Sequence, residues 1–309
     1  MRRLIPLIFT TATVASPFPP DFCLDADLWT SPSIRLPVEF FIVNSTETVP
    51  GFLVLDIDFS EEFLTAPPFA ESWMRFTEQV AIGPAIFDYP VTICPSVTES
   101  DRTLNLAAGP QSTFATRVGS FLINPINGTS AQVVFGPTDA TRYAYEGEMF
   151  YAQNEDPSLW VVPVAVGIVG QEVTSLVSGP CWLNPIDTNI FVPRNVFSVV
   201  FQRLLEMQID AQFLNGRSIV IHSPITSAQI DALPSIQFLL SDDNGALVQI
   251  AQLHPREYVI DGPGGPSVLL QTRDVVDVCS MSSTLLRKLV IHFDVINNRV
   301  GFADPINEI

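Results

Sequence analysis

Two stretches of the chain are built on one plan. Phe52-Leu53-Val54-Leu55-Asp56-Ile57-Asp58 runs on to Pro67, and Cys181-Trp182-Leu183-Asn184 runs on to Pro193. Each has an apolar strand, a polar residue and a proline nine positions after it. The residues before the proline are apolar again, Phe63-Leu64 in the first copy and Ile190-Phe191-Val192 in the second. Such a repeat predicts two related lobes, each with a strand, a tight polar loop and a returning strand.

Around these anchors the chain reads as short strands, among them 132–135, 160–166, 236–240 and 288–293. Turn signals separate them, most clearly Gly136-Pro137, Asp243-Asn244-Gly245, Gly262-Pro263-Gly264-Gly265 and Asn297-Asn298. Helical spacing is found over 195–208, where Val196, Phe197, Val199, Val200 and Leu204 make an apolar face. Charged residues are only 16% of the chain, Pro numbers 26 and Gly 16, so the predicted class is mainly β. With 309 residues, 47% of them hydrophobic, there is enough apolar surface for one large core or two ordinary ones.

The formal charge of −18 argues against nucleic acid or an anionic membrane as a partner. Met1-Arg2-Arg3, the apolar run 4–14 and the small residues Thr13, Ala15 and Ser16 follow the grammar of a signal peptide over 1–15. Nothing later is apolar for long enough to span a bilayer as a helix, so a secreted, soluble protein is expected. The sequons at Asn44 and Asn127 suit that route as glycosylation sites. Cys23, Cys94, Cys181 and Cys279 form an even set with no compact zinc spacing, which favours two disulfides; four cysteines allow three connectivities. His222, His254 and His292 stand apart from one another and from any acidic cluster, so a structural role is expected of each and no metal or cofactor is expected.

From about Pro37 to Pro305 the residues resemble pepsin-like aspartic proteases. Arg287-Lys288-Leu289-Val290-Ile291-His292-Phe293-Asp294, followed by Asn297-Asn298-Arg299-Val300-Gly301-Phe302-Ala303, looks like that family's closing run. Leu233-Pro234-Ser235-Ile236-Gln237-Phe238 resembles its Leu-Pro-x-Ile-x-Phe strand, and Pro255-Arg256-Glu257-Tyr258-Val259-Ile260 its later Pro-x-x-Tyr-Ile segment. Val134-Phe135-Gly136-Pro137-Thr138-Asp139 is similar to the Phe-Gly-Gly-Thr-Asp turn, and Asp101-Arg102-Thr103-Leu104-Asn105-Leu106 to the Asp-Gly-Ile-Leu-Gly-Leu strand. The resemblance implies a bilobal pepsin-like acid protease fold with a shortened N-terminal lobe over 37–140 and a C-terminal lobe over 141–309. Residues 16–36 would be an N-terminal segment, shorter and less basic than the family's prosegments.

Aspartic proteases hold two carboxylates so close that they share a proton, one acting as general base on a bound water and the other as general acid. In the family each sits in Asp-Thr-Gly-Ser/Thr. Counting back nine from Pro67 reaches Asp58, whose loop has Phe59 for the hydroxyl residue and Ser60 for the glycine. Counting back nine from Pro193 reaches Asn184, an amide that cannot share the proton, followed by Pro185, whose φ is fixed. A rival register places the second acid at Asp187. Two glycines of the family's supporting strands align with Asn105 and Met281, where larger side chains would crowd the loops. The run 68–78 stands where the family fits its flap hairpin, and it holds no tyrosine.

The resemblance also implies a bridge from Cys181, entering the second loop, to Cys279 in the strand beneath it, leaving Cys23 for Cys94. The expected function is that of an inactive homologue, a pseudoprotease that binds a protein or peptide. The competing expectations are a residual acid endopeptidase using Asp58 with Asp187, and an inhibitor of another hydrolase.

Overall fold

The structure, a computed structural model, describes residues 21–28, 34–41, 48–56, 63–66, 74–82, 85–95, 103–127, 130–170, 179–184, 188–241, 245–262, 265–273 and 279–306. For residues 24–107 the description is of the backbone. These residues make the protein mainly β.

The first strands are β1 (Phe22–Leu28), β2 (Ile34–Phe41), β3 (Thr48–Asp56), β4 (Phe63–Ala66), β5 (Met74–Ile82), β6 (Ala85–Pro95) and β7 (Thr103–Ala107). Strands β2, β3, β7, β4, β6 and β5 are hydrogen-bonded in that order, and a further pairing of β2 with β5 closes the ring. Closure leaves fewer bare edges. Helix α1 (Thr113–Val118) then leads into β8 (Ser120–Asn127) and β9 (Ser130–Phe135), followed by 3-10 turns at Ala140–Tyr143 and Tyr145–Gly147.

Next come β10 (Phe150–Gln153), β11 (Val161–Ile168), β12 (Gly179–Asn184), β13 (Ile190–Phe191), α2 (Arg194–Glu206), β14 (Ala211–Leu214) and β15 (Ser218–Ile221). The chain ends with α3 (Ser227–Asp231), β16 (Ile236–Ser241), β17 (Leu247–Leu253), α4 (Pro255–Tyr258), β18 (Val259–Gly262), β19 (Gly265–Gln271), β20 (Cys279–Ser282), α5 (Ser283–Leu286), β21 (Val290–Asp294) and β22 (Arg299–Ala303).

The repeat seen in the sequence returns as hydrogen bonding. β3 pairs parallel with β7 and β4 parallel with β6; β12 pairs parallel with β20 and β13 parallel with β19. A short helix and an antiparallel hairpin follow each set, α1 with β8–β9 and α5 with β21–β22. The two hairpins meet in the order β10-β22-β21-β8-β9-β1, so β8 and β21 lie side by side at the centre.

Side chains alternate across this central sheet with a period of two. Phe121, Ile123, Val133, Phe135, Ile291, Phe293, Val300 and Phe302 enter the main core. Their neighbours Leu122, Val134, Val290 and Ala303 form a second, smaller core with Ala140 and Ala144. The β8–β21 register sets Phe121 opposite Phe293, and their rings stack with centroids 4.6 Å apart. Trp160 lies 5.1 Å from Phe293 and donates its indole N–H to the Ala108 carbonyl at 2.8 Å, meeting the need of a buried indole for a partner.

Several expectations are met with small shifts. The anticipated helix is α2, and it buries Val196, Phe197, Val200 and Leu204. Val199 was expected on that face but is 36% exposed, because it lies off the stripe that the i, i+4 spacing of the others defines. Within the segment 16–36, Phe22–Leu28 is β1, paired with β9 over six residues. The run 68–78 contributes its last five residues to β5, which forms a long antiparallel hairpin with β6.

His292 is buried under the small core. Tyr151 crosses Gly301 to reach it, with the hydroxyl 2.9 Å from His292 Nδ1. A Cβ on Gly301 would lie 2.7 Å from the Tyr151 ring and 2.8 Å from Met149 Sδ, so this crossing requires glycine. Burial pushes the His292 ring down to about 4 from an ordinary 6.5. Burial alone would raise the nearby Asp294 carboxyl, but hydrogen bonds from Asn297 and Arg299 outweigh it and hold it below the usual range.

The unfolded chain takes up the imidazole proton below about pH 6.5 and the folded chain only below about 4. Stability therefore falls as pH drops between those values, by about 3 kcal/mol from this ring. Below that window Asp294 adds a further loss as its carboxyl is protonated. Urea unfolding of wild type and His292→Gln across acid pH is expected to show the first component in wild type alone.

Candidate functional site

The second loop of the repeat leaves from a ladder whose two sides differ in chemistry. β12 and β20 run parallel with Cys181 opposite Cys279, Trp182 opposite Ser280, Leu183 opposite Met281 and Asn184 opposite Ser282. Cys181, Leu183, Cys279 and Met281 all enter the main core. Trp182, Asn184, Ser280 and Ser282 alternate with them and take the other side, where the loop returns.

Asn184 is the last residue of β12 and is half-buried. Residues 185–187 lie outside the described residues, so Asp187 has no place in this description. Beyond them the chain is tied back over β20. Ser280 Oγ accepts from the Phe191 N–H at 3.0 Å, and the Ser282 hydroxyl donates to the Thr188 carbonyl at 3.5 Å. The serines thus supply hydrogen bonds that a parallel ladder does not give to the loop beside it.

Met281, where the resemblance expects crowding, is fully buried in the core opposite Leu183. The residues bonded to the returning chain, at Thr188 and Phe191, are its neighbours Ser282 and Ser280. Period-two alternation explains the difference, since a residue one step away faces the opposite side.

The first loop leaves from the β3–β7 ladder, in which Val54 faces Asn105, Leu55 faces Leu106 and Asp56 faces Ala107. Asn105 also faces Phe63 of the returning strand β4. Asp58 lies outside the described residues. If Asn105 is set on Met281, Val54 falls on Leu183, Leu55 on Asn184 and Asp56 on the next residue. In ladder register Asp56 therefore falls one residue past Asn184, and it ends the first ladder.

The backbone just past β7 is fixed from the other half of the chain. Ala108, one residue beyond the partner of Asp56, accepts the Trp160 indole N–H. Trp160 in turn precedes β11, which pairs with β12 through Val161 opposite Trp182. One buried indole thus connects the ends of both parallel ladders.

Cys181 and Cys279 are joined in a disulfide, directly across the ladder, with Cα atoms 4.5 Å apart. The bridge expected from Cys23 to Cys94 is not formed. Cys23 is a part-buried free thiol whose sulfur donates to the Asp21 carbonyl at 3.2 Å. Cys94 is in β6, which is not hydrogen-bonded to β1. Asn44 lies outside the described residues, and Asn127 ends β8 at the turn into β9.

The histidines are separate in space as in sequence. His222 Nε2 is 3.3 Å from Gln212 Oε1, and His254 accepts contacts from Ser235 and Gln252 at 3.5 and 3.4 Å. A concavity of about 720 Å³ opens beside His222, walled by Ile225, Ile230, Val259 and Pro266, and draws no residue from β12 or β20. Among the described residues no helix is long and apolar enough to cross a membrane. No protein-family model matches this sequence, and neither does any curated protein.

The disulfide closes a separation of 98 residues that contains the whole of the second loop. Replacing both cysteines by serine is expected to lower stability by about 2–5 kcal/mol. Urea midpoints of wild type, wild type with reductant and the double variant measure this; the last two should agree.

Proposed function

We propose that this chain is a pepsin-type aspartic protease frame that has lost its chemistry and works as a secreted binding protein for a protein or peptide. In this reading the repeated parallel ladders are the two lobes, over 37–140 and 141–309, and the central sheet joins them. The palindromic order of β1, β9 and β8 against β10, β22 and β21 supports the bilobal form. So does the tie between the halves at Trp160.

The observation that carries the loss of activity is Asn184 at the end of the disulfide-linked β12 ladder. Acid proteolysis needs a second carboxyl group there to trade a proton with the first. A carboxamide neither takes up nor gives that proton at any working pH, and Pro185 after it removes a backbone donor beside the loop. A lone aspartate in the first loop, whether Asp56 or Asp58, then titrates by itself and has no partner to split its role from.

The test is cleavage of a denatured protein pool and a quenched-peptide library by the purified protein from acid to neutral pH. Asp56→Ala, Asp58→Ala and Asp187→Ala serve as controls. Turnover no higher than in the controls is expected. Activity that disappears in Asp58→Ala and in Asp187→Ala would overturn the reading and make the chain an acid endopeptidase with those two residues as its dyad.

A further inference from the structure

Arg273, two residues past β19, carries an exposed side chain whose guanidinium carbon lies 5.0 Å from the ring centroids of both Trp182 and Phe191. Rings from two separate strands, β12 and β13, thus converge on one cation. The two rings are held from behind: Trp182 pairs with Val161 and with Ser280, and the Phe191 N–H is bonded to Ser280 Oγ. Both are partly exposed.

Four other arginines are paired with carboxylates. Arg142 is paired with Asp21, Arg203 with Glu206, Arg256 with Asp231 and Arg299 with Asp294. Among the described residues Arg273 has its two rings and no hydrogen bond or ion pair. Cation–π contact fixes the guanidinium plane but leaves its N–H donors unused.

The strand end that carries Arg273 is tied to its neighbours through the backbone. Thr272, next to Arg273, donates its N–H to the Arg217 carbonyl, and Gln271 accepts from Val192, two residues before Arg194.

We propose that this surface binds a peptide segment presenting one carboxylate beside an aromatic or apolar side chain. The guanidinium fork matches a carboxylate through two parallel N–H donors, and the ring edges of Trp182 and Phe191 offer apolar contact on the same spot. A polyanion such as a sulfated glycan is disfavoured, because the net charge of −18 repels it at long range while a single carboxylate meets only the local field. The surface stands whether or not the chain retains proteolysis, so its test is independent of the cleavage assay.

Calorimetric titration of the full chain uses blocked Phe-Glu-Phe, blocked Phe-Gln-Phe, phenylacetate and heparin as probes. Phe-Glu-Phe is expected to bind at least about tenfold more tightly than the other three, the scale of one charge-assisted hydrogen-bonded contact. Arg273→Gln should lose that margin, and Arg273→Lys, which keeps the charge but not the fork, should lose most of it. Thermal midpoints close to wild type would show both variants folded; Trp182→Phe provides a second, milder probe that should weaken binding. Equal binding of the Glu and Gln peptides, unchanged binding in Arg273→Gln, no binding of either peptide, or tighter binding of phenylacetate or heparin would each overturn the proposal.

Discussion

The stacking of Phe121 on Phe293 across the β8–β21 ladder is the contact on which the rest of the molecule depends. It joins a strand that closes the first half of the chain to one near its end, and Trp160 lies against it. Through Trp160 the same contact reaches Ala108 at the end of one parallel ladder and β11 beside the other. A buried aromatic pair is worth more than its area alone, and this one is also a hub. Because its members are far apart in sequence, the loop between them must be ordered before the pair is formed, which favours slow, late assembly of the central sheet.

The second half of the chain was the more legible part of the sequence. There the alternation is clean and the turn residues are explicit: Asn297 and Asn298 mark the β21–β22 hairpin, where Asn298 is left-handed and Asp294 accepts from Asn297. Helix α2 was visible because its apolar stripe is set off by Pro193 before it. Less legible were features set by tertiary contact. Nothing local distinguishes Phe22–Leu28 as a strand of the central sheet, since its partner β9 is more than a hundred residues away. Gly301 reads as an ordinary strand glycine until Tyr151 is found packed across it.

At the candidate site the chemical type of Asn184 is legible without geometry, since it is an amide in any fold. The sequence could not show which face of a ladder a residue takes. Alignment gives a position along a strand but not a side, and one step of pleat separates the buried Met281 from Ser280 and Ser282, which bond to the returning chain. Counting from a proline assumes a loop of fixed length, and Asp58, reached that way, lies outside the described residues. Arg273 passed unnoticed for a related reason, as its meaning lies in two rings donated by other strands.

The bond between Cys181 and Cys279 has one more effect, beyond rigidity. It makes the stretch between them a covalently closed circuit that includes β13, α2 and the strands up to β19. A single cut anywhere on that circuit leaves one covalent molecule with two new termini, held by the bridge. In surroundings rich in hydrolases, such as a secretory fluid, the chain can thus be nicked on that circuit without shedding either part, and the Arg273 surface, whose members all lie inside the circuit, stays attached to the rest.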